Sequence, residues 1–142
     1  MHDILNPVEQ LSFLLYASSR LAIRLVKPEL DSLGLTFPQY LVLKCLWTKD
    51  NIKVDELSTQ LYLDSGTLTP LLKRMEAMQL ITRTRSSIDE RMVIIALTEN
   101  GKALESIASV VEKKSQCQGI LSTEEARDLK KSLAKILNFF SN

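Results

Sequence analysis

Few residues of this chain have side chains suited to chemistry, and their grouping narrows what that chemistry is. The thiols are Cys45 and Cys117, and the imidazole is His2 alone, too few for a disulfide framework or a Cys/His zinc cluster within one chain. No Cys or His lies among convergent acid–base partners, and no glycine-rich phosphate loop is present, so a non-enzymatic protein without metal or cofactor is expected. A thiol peroxidase is the enzymatic alternative, and turnover of hydroperoxide would be its sign. Hydroxyl and cationic groups are concentrated instead. In "LDSGTLTPLLKRME", residues 63–76, the small residues Ser65, Gly66, Thr67 and Thr69 precede Pro70 and an apolar stripe that ends at Lys73 and Arg74. Residues 71–85 hold Lys73, Arg74, Arg83 and Arg85 against Glu76; four positive charges less one negative leave +3, in a chain whose formal net charge is +1. Arg91 follows just after a turn.

Such a grouping suits a polyanion. The first turn of a helix offers unpaired N–H groups and a partial positive charge, and short side chains let a phosphate approach that backbone. Ser and Thr hydroxyls hydrogen-bond phosphates or base edges. The plainer reading is that Asp64 to Thr67 cap an ordinary helix and that the cations form a solvated face. It does not explain why the cations surround one helix–turn–helix and one hairpin.

The elements that must position these residues follow from periodicity. Pro7 to Leu33 reads as a long helix, capped by Asn6 and disturbed near Pro28. Gly34 breaks it, Thr36 caps the next, and "FPQYLVLKCLW" is apolar almost all round, a core helix in which Cys45 serves as a small buried hydrophobe. A short amphipathic helix over 53–61 and the connection "YLD" lead to the hydroxyl-rich helix, capped by Asp64 or Ser65, with Leu68, Leu71, Leu72 and Met75 on its buried side. "LITRTR", the turn "SSIDE" and "RMVIIALT" predict a two-stranded hairpin. Helix–turn–helix followed by a hairpin is the order of a winged helix, whose second helix docks in the major groove. Thr98 caps a further helix, and Ser122 with Glu125 forms a capping box for the last one, which carries Ala126, Leu129, Leu133, Ile136, Leu137 and Phe140 as a stripe.

Composition sets the bounds. A chain of 142 residues, 45% hydrophobic and 25% charged, suits one mainly helical domain, or a domain with arms that need a partner. No apolar run approaches the roughly 18–20 residues of a membrane span and no signal peptide is visible, so a cytoplasmic protein is expected. The apolar faces of the first and last helices exceed what a winged helix covers, which predicts a homodimer. The expected division is dimerisation helices at about residues 1–35 and 99–142 around a DNA-binding lobe at about 36–98, with double-stranded DNA as partner.

"LDSGTLTPLLKRME" followed by "LITRTRSSIDERMVIIALTENG" resembles the recognition helix and wing of the MarR-type transcription regulators. The branch it most resembles is the OhrR-like, thiol-based peroxide sensors. "EQLSFLLYASSR" and "LGLTFPQYLVLKCLW" extend the resemblance over most of the chain. It implies a homodimeric regulator, a repressor by type, on a pseudo-palindromic operator, with Asp89 and Arg91 shaping or using the wing. Where this branch reads "QLCF", with the peroxide-reactive cysteine, this chain has Ser12; where the branch commonly has tyrosines, it has Val26 and Phe37. A serine cannot form a sulfenic acid. Cys117 falls where two-cysteine members place a resolving thiol. Two explanations stay open: Ser12 replaces a cysteine and holds a reduced-like state, or the chain is a natural relative that has lost this sensing. A MarR-type regulator that answers to a small lipophilic or aromatic ligand is the alternative to oxidation.

Overall fold

The computed structural model describes residue 6, residues 10–116 and residues 119–141; His2, Pro7 and Cys117 lie outside the described residues. The chain forms two compact units, Met1–Val26 with Val110–Asn142, and Lys27–Ser109.

Helix α1 covers Leu11–Asp31. Its first turn closes on Gln10, whose carbonyl accepts the Leu14 N–H at 3.1 Å; the expected start at Pro7 lies outside the described residues. Pro28 lies inside the helix. That residue cannot donate a hydrogen bond to the carbonyl one turn back, yet the Lys27–Asp31 ion pair at 2.6 Å spans the position and Ser32 N–H returns to the Pro28 carbonyl at 3.2 Å. Gly34, at φ +67°, makes the left-handed turn that releases the chain.

The second unit is built around α2, Phe37–Thr48. Thr36 and Gln39 form a reciprocal capping box, and Tyr40, Val42, Leu43 and Leu46 are buried. Helices α3 (Val54–Leu61) and α4 (Ser65–Ala77) pack on it, as does β3 (Val93–Leu97). Leu57, Leu68, Leu72, Met75, Ile81 and Ile95 complete this core. Burial of such side chains, about 1.5–3 kcal/mol each, outweighs the weak local preference of so short a helix as α3.

The expected hairpin is β2 (Ile81–Arg85) paired with β3 in register Arg83↔Ile95. It is not alone. A two-residue strand β1, Ile52–Lys53, pairs antiparallel with the other edge of β3, giving the order β1-β3-β2. Two residues carry no periodicity to read.

The helix expected after Thr98 is divided into α5 (Glu99–Ala103), a 3-10 turn over Leu104–Ile107 and α6 (Ala108–Ser115). Trp47 ties this segment to α2: its indole N–H donates to the Gly101 carbonyl at 2.9 Å. Last comes α7, Thr123–Ser141. Ser122 N–H donates to Glu125 Oε2 at 2.8 Å and Glu125 N–H to Ser122 Oγ at 3.1 Å, the expected capping box. No described helix is long and apolar enough to cross a membrane.

Candidate nucleic-acid interface

The amino end of α4 is held from one side only. Asp64, extended at ψ 164°, accepts the Thr67 N–H on its side chain at 2.7 Å, and these hydrogen bonds hold its carboxyl below the usual range. Ahead of it, Tyr62 adopts the left-handed conformation at φ 53° to close α3, and Leu63 N–H donates to the Ser58 carbonyl at 3.2 Å. The turn between the helices is thereby fixed. Ser65, Gly66 and Thr67 are exposed while Leu68 is fully buried, so the helix is anchored from its fourth residue and presents its first three. A Cβ at Gly66 would meet nothing nearer than Asp64 Oδ1 at 3.5 Å; the protein's own packing does not demand glycine there. Pro70, exposed within the helix, has no N–H for the Gly66 carbonyl one turn back.

Lys73 and Arg74 are exposed on the same helix. Arg83 is not free: its Nε donates to Glu76 Oε2 at 3.0 Å, tying β2 to α4. The hairpin turn is closed by its own hydrogen bonds. Ser86 N–H donates to the Met92 carbonyl at 2.7 Å and Met92 N–H to the Asp89 carbonyl at 2.9 Å. Asp89 Oδ1 accepts the Arg91 N–H at 3.0 Å, and Arg85 Nη1 donates to the Glu90 carbonyl at 3.2 Å. Asp89 and Arg85 therefore shape the turn, while Arg91 is exposed beside it. A shallow cavity of about 170 Å³ runs between α3, α4 and the wing. Lys53, Thr69, Arg83 and Arg91 line it together with Leu72, Met92 and Val93. Lys53 was invisible as a site residue because it belongs to the unanticipated β1.

Ser12 is exposed on α1, Val26 is fully buried near the end of that unit's share of the helix, and Phe37 opens α2 half-buried, its ring centroid 6.1 Å from that of Tyr40. Cys45 is half-buried, and burial pushes its thiol upward, with Lys44 pulling weakly the other way; such a thiol stays protonated and sluggish at neutral pH. Among the described residues no cluster of His, Cys, Asp or Glu is placed to hold a metal ion.

A helix–turn–helix with an open amino end, followed by a braced hairpin, defines a winged-helix module of the kind transcription regulators use. Residues 24–106 match the family model described as transcriptional regulator SarA/Rot. The chain is 49% identical over 135 residues to the organic hydroperoxide resistance transcriptional regulator of Bacillus subtilis, covering 95% of this chain and 92% of that protein. Among solved structures it is similar to reduced AbfR bound to DNA (34% identity, TM-score 0.77, 95% and 94% of the two chains), AbfR being a protein of Staphylococcus epidermidis. A MarR variant from E. coli complexed with operator DNA superposes with TM-score 0.80 at 26% identity, covering 95% and 99%. The chain belongs to the MarR-type, SarA/Rot-related transcriptional regulators, on the OhrR-like branch.

Proposed function

We propose that this regulator is a homodimeric repressor that acts in the cytoplasm and reads a pseudo-palindromic operator with the amino end of α4 and the wing of each subunit. The observation that carries this reading is the exposed Ser65-Gly66-Thr67 turn on an anchored helix, with Lys73, Arg74 and Arg91 exposed around it. Ser65, Gly66 and Thr67 take the backbone and base edges. Thr69 and Pro70 set the depth of the helix in the groove, and Lys73, Arg74 and Arg85 meet phosphates. Arg83, paired with Glu76, holds the wing at its angle and adds charge, and Asp89 shapes the turn that carries Arg91. Two lobes at about 36–98, joined by dimerisation helices at about 1–35 and 99–142, match the two halves of such an operator. DNA-bound AbfR and MarR structures support the assignment. Selection from a randomised duplex library, followed by titration at several salt concentrations, tests it. A selected, inverted-repeat sequence with steep salt dependence is expected, and Arg91→Ala should flatten the slope of log K against log salt by about 1. A uniform, sequence-blind affinity would overturn it.

The same reading extends to sensing. With a cysteine at position 12, a thiolate attacks an organic hydroperoxide, giving a sulfenic acid and the alcohol. The thiol of Cys117 of the partner subunit then displaces water to form a disulfide, which shifts the helices and misaligns the two heads. Val26 and Phe37 line the sensor pocket in this scheme. As the chain stands, Ser12 leaves no group to oxidise at this position and keeps the reduced-like, DNA-binding state, whether serine is the gene's own residue or a replacement. The hydroperoxide-regulator relative supports the chemistry. Gel shifts with and without cumene hydroperoxide test it: the Ser12 form should stay bound and Ser12→Cys should release. Release of the Ser12 form would refute the scheme.

One observation favours a second reading, in which a small lipophilic or aromatic compound is the inducer. The cavity beside α4 sets the apolar Leu72, Met92 and Val93 beside Lys53, Arg83, Arg91 and the carboxylate of Asp55, an apolar lining with a few polar groups of the kind that takes a small aromatic compound. Thermal stabilisation by benzoate-type compounds at constant redox state, lost in Arg83→Ala, would favour it over oxidation.

A further inference from the structure

The tip of the wing carries a residue that the assigned roles leave unused. Ile88 is 93% exposed, a β-branched apolar side chain in a turn where polar residues are the rule. Single exposed apolar residues are ordinary on protein surfaces, but this one is held in place. Ser86 Oγ accepts the Ile88 N–H at 3.2 Å and the Asp89 N–H at 3.5 Å. The turn is closed behind it by Ser86 to Met92, Met92 to Asp89 and Arg85 to Glu90. The backbone of the tip is fixed by these bonds, and the apolar side chain projects beyond them, in the loop that runs from the exposed Arg85 at the end of β2 past the exposed Arg91.

We propose that Ile88 is a specificity-determining contact in the minor groove flanking each half-site; this rests on the DNA-binding reading given above. The minor groove of A·T pairs has a floor of acceptors only, whereas a G·C pair adds the guanine amino group. An apolar tip inserted there packs on the sugar walls and strips water from whatever the floor presents. A guanine amino donor so covered loses its water partner and gains none, a cost that acceptor-only A·T floors lessen because Arg91 beside the tip donates to them. Ile88 therefore turns the wing from a general phosphate clamp into a reader that rejects G·C at the flanks.

Inosine isolates this effect, since I·C presents the A·T-like minor groove. Fluorescence anisotropy on the duplex selected above, with flanking pairs as A·T, G·C or I·C, is the measurement. The wild-type chain is expected to bind A·T and I·C flanks alike and G·C flanks about five- to tenfold more weakly, the low end of what one disfavoured pair costs. Ile88→Ser should bring that ratio to near one with an unchanged salt slope. Arg91→Ala, which lowers affinity overall, should retain part of the discrimination through Ile88. A wild-type ratio near one, or an Ile88→Ser ratio equal to wild type, overturns the proposal while the DNA-binding reading stands. Failure to select any duplex overturns both. Ile88 is exposed and makes no side-chain hydrogen bond, so its replacement leaves folding intact, which a thermal melt verifies.

Discussion

At the scale of single residues, Asp64 and Gly66 separate what the fold needs from what a partner needs. The Asp64 carboxylate is stabilised chiefly by the Thr67 backbone N–H, then by its hydroxyl and the Gly66 N–H, and its pKa lies below the ordinary value. A carboxyl with a depressed folded pKa adds stability that is fully present above its unfolded pKa, about 3.9, and is lost as pH falls through the folded value. Urea midpoints should therefore hold steady down to about pH 5 and decline below about pH 4. Glu125, lowered in the same way by the Ser122 N–H, adds to that decline. Asp64→Asn keeps an acceptor but no charge, so the acid limb should flatten; an identical limb in that variant would remove the cap from the account. Gly66 makes the converse case. Because a methyl there meets only Asp64 Oδ1 at 3.5 Å, Gly66→Ala should leave stability unchanged or raise it by up to about 1 kcal/mol through helix propensity. DNA affinity should nevertheless fall at least tenfold, as a phosphate is held off the backbone. A stable variant with undiminished affinity would show that the bare backbone at 66 has no partner.

At the scale of elements, the module is held together at a few crossings, and Gly101 lies at a close one. A Cβ added there would lie 2.2 Å from the Leu80 carbonyl oxygen and 3.1 Å from Leu97 Cδ2, and the first of these is backbone that cannot swing away. The same residue gives its carbonyl to Trp47 at 2.9 Å and its N–H to Thr98 Oγ1 at 3.1 Å. Gly101→Ala should cost about 2–3 kcal/mol in urea unfolding, in the range of overpacked cores; a loss under about 0.5 kcal/mol would mean that α5 can slide off the strand. These crossings also explain what was legible in the sequence. The caps at Thr36, Asp64, Thr98 and Ser122 are local, each set by residues within three positions, and local chemistry can be read from order alone. The α4 stripe, with Leu68, Leu72 and Met75 buried, was equally plain. Strand β1, the Trp47 bond to Gly101, and the Asp50 carboxylate that accepts the Leu97 N–H at 2.9 Å join residues about fifty positions apart, and no periodicity announces them. The same holds for Arg83, whose positive charge was evident but whose pairing with Glu76 was not.

At the scale of the whole molecule, the apolar surface outruns what one chain covers. Leu11, Leu14, Leu21 and Leu25 fall on one face of α1, and all are exposed. On α7, Leu129 and Leu137 are exposed, and Phe139 and Phe140 are 76% and 80% exposed while packed edge to face on each other, 5.2 Å apart. Aromatic and leucine side chains set out in rows on two long helices are costly in water and suit a helical interface between copies. If these faces form the dimer, two heads are held at one separation, and binding of the second half-site becomes intramolecular, with avidity gains of about 10²–10⁴. Leu137→Glu with Phe140→Glu puts carboxylates into that interface at positions outside the Lys27–Ser109 unit. Sedimentation should show the wild type as a dimer with a melting temperature that rises with concentration, and the double variant as a monomer whose melting is independent of it. Affinity for a full operator should fall at least about a hundredfold, and affinity for a single half-site should not change. A variant that stays dimeric would place the interface elsewhere, and a monomer that still binds the full operator tightly would mean that each head works alone.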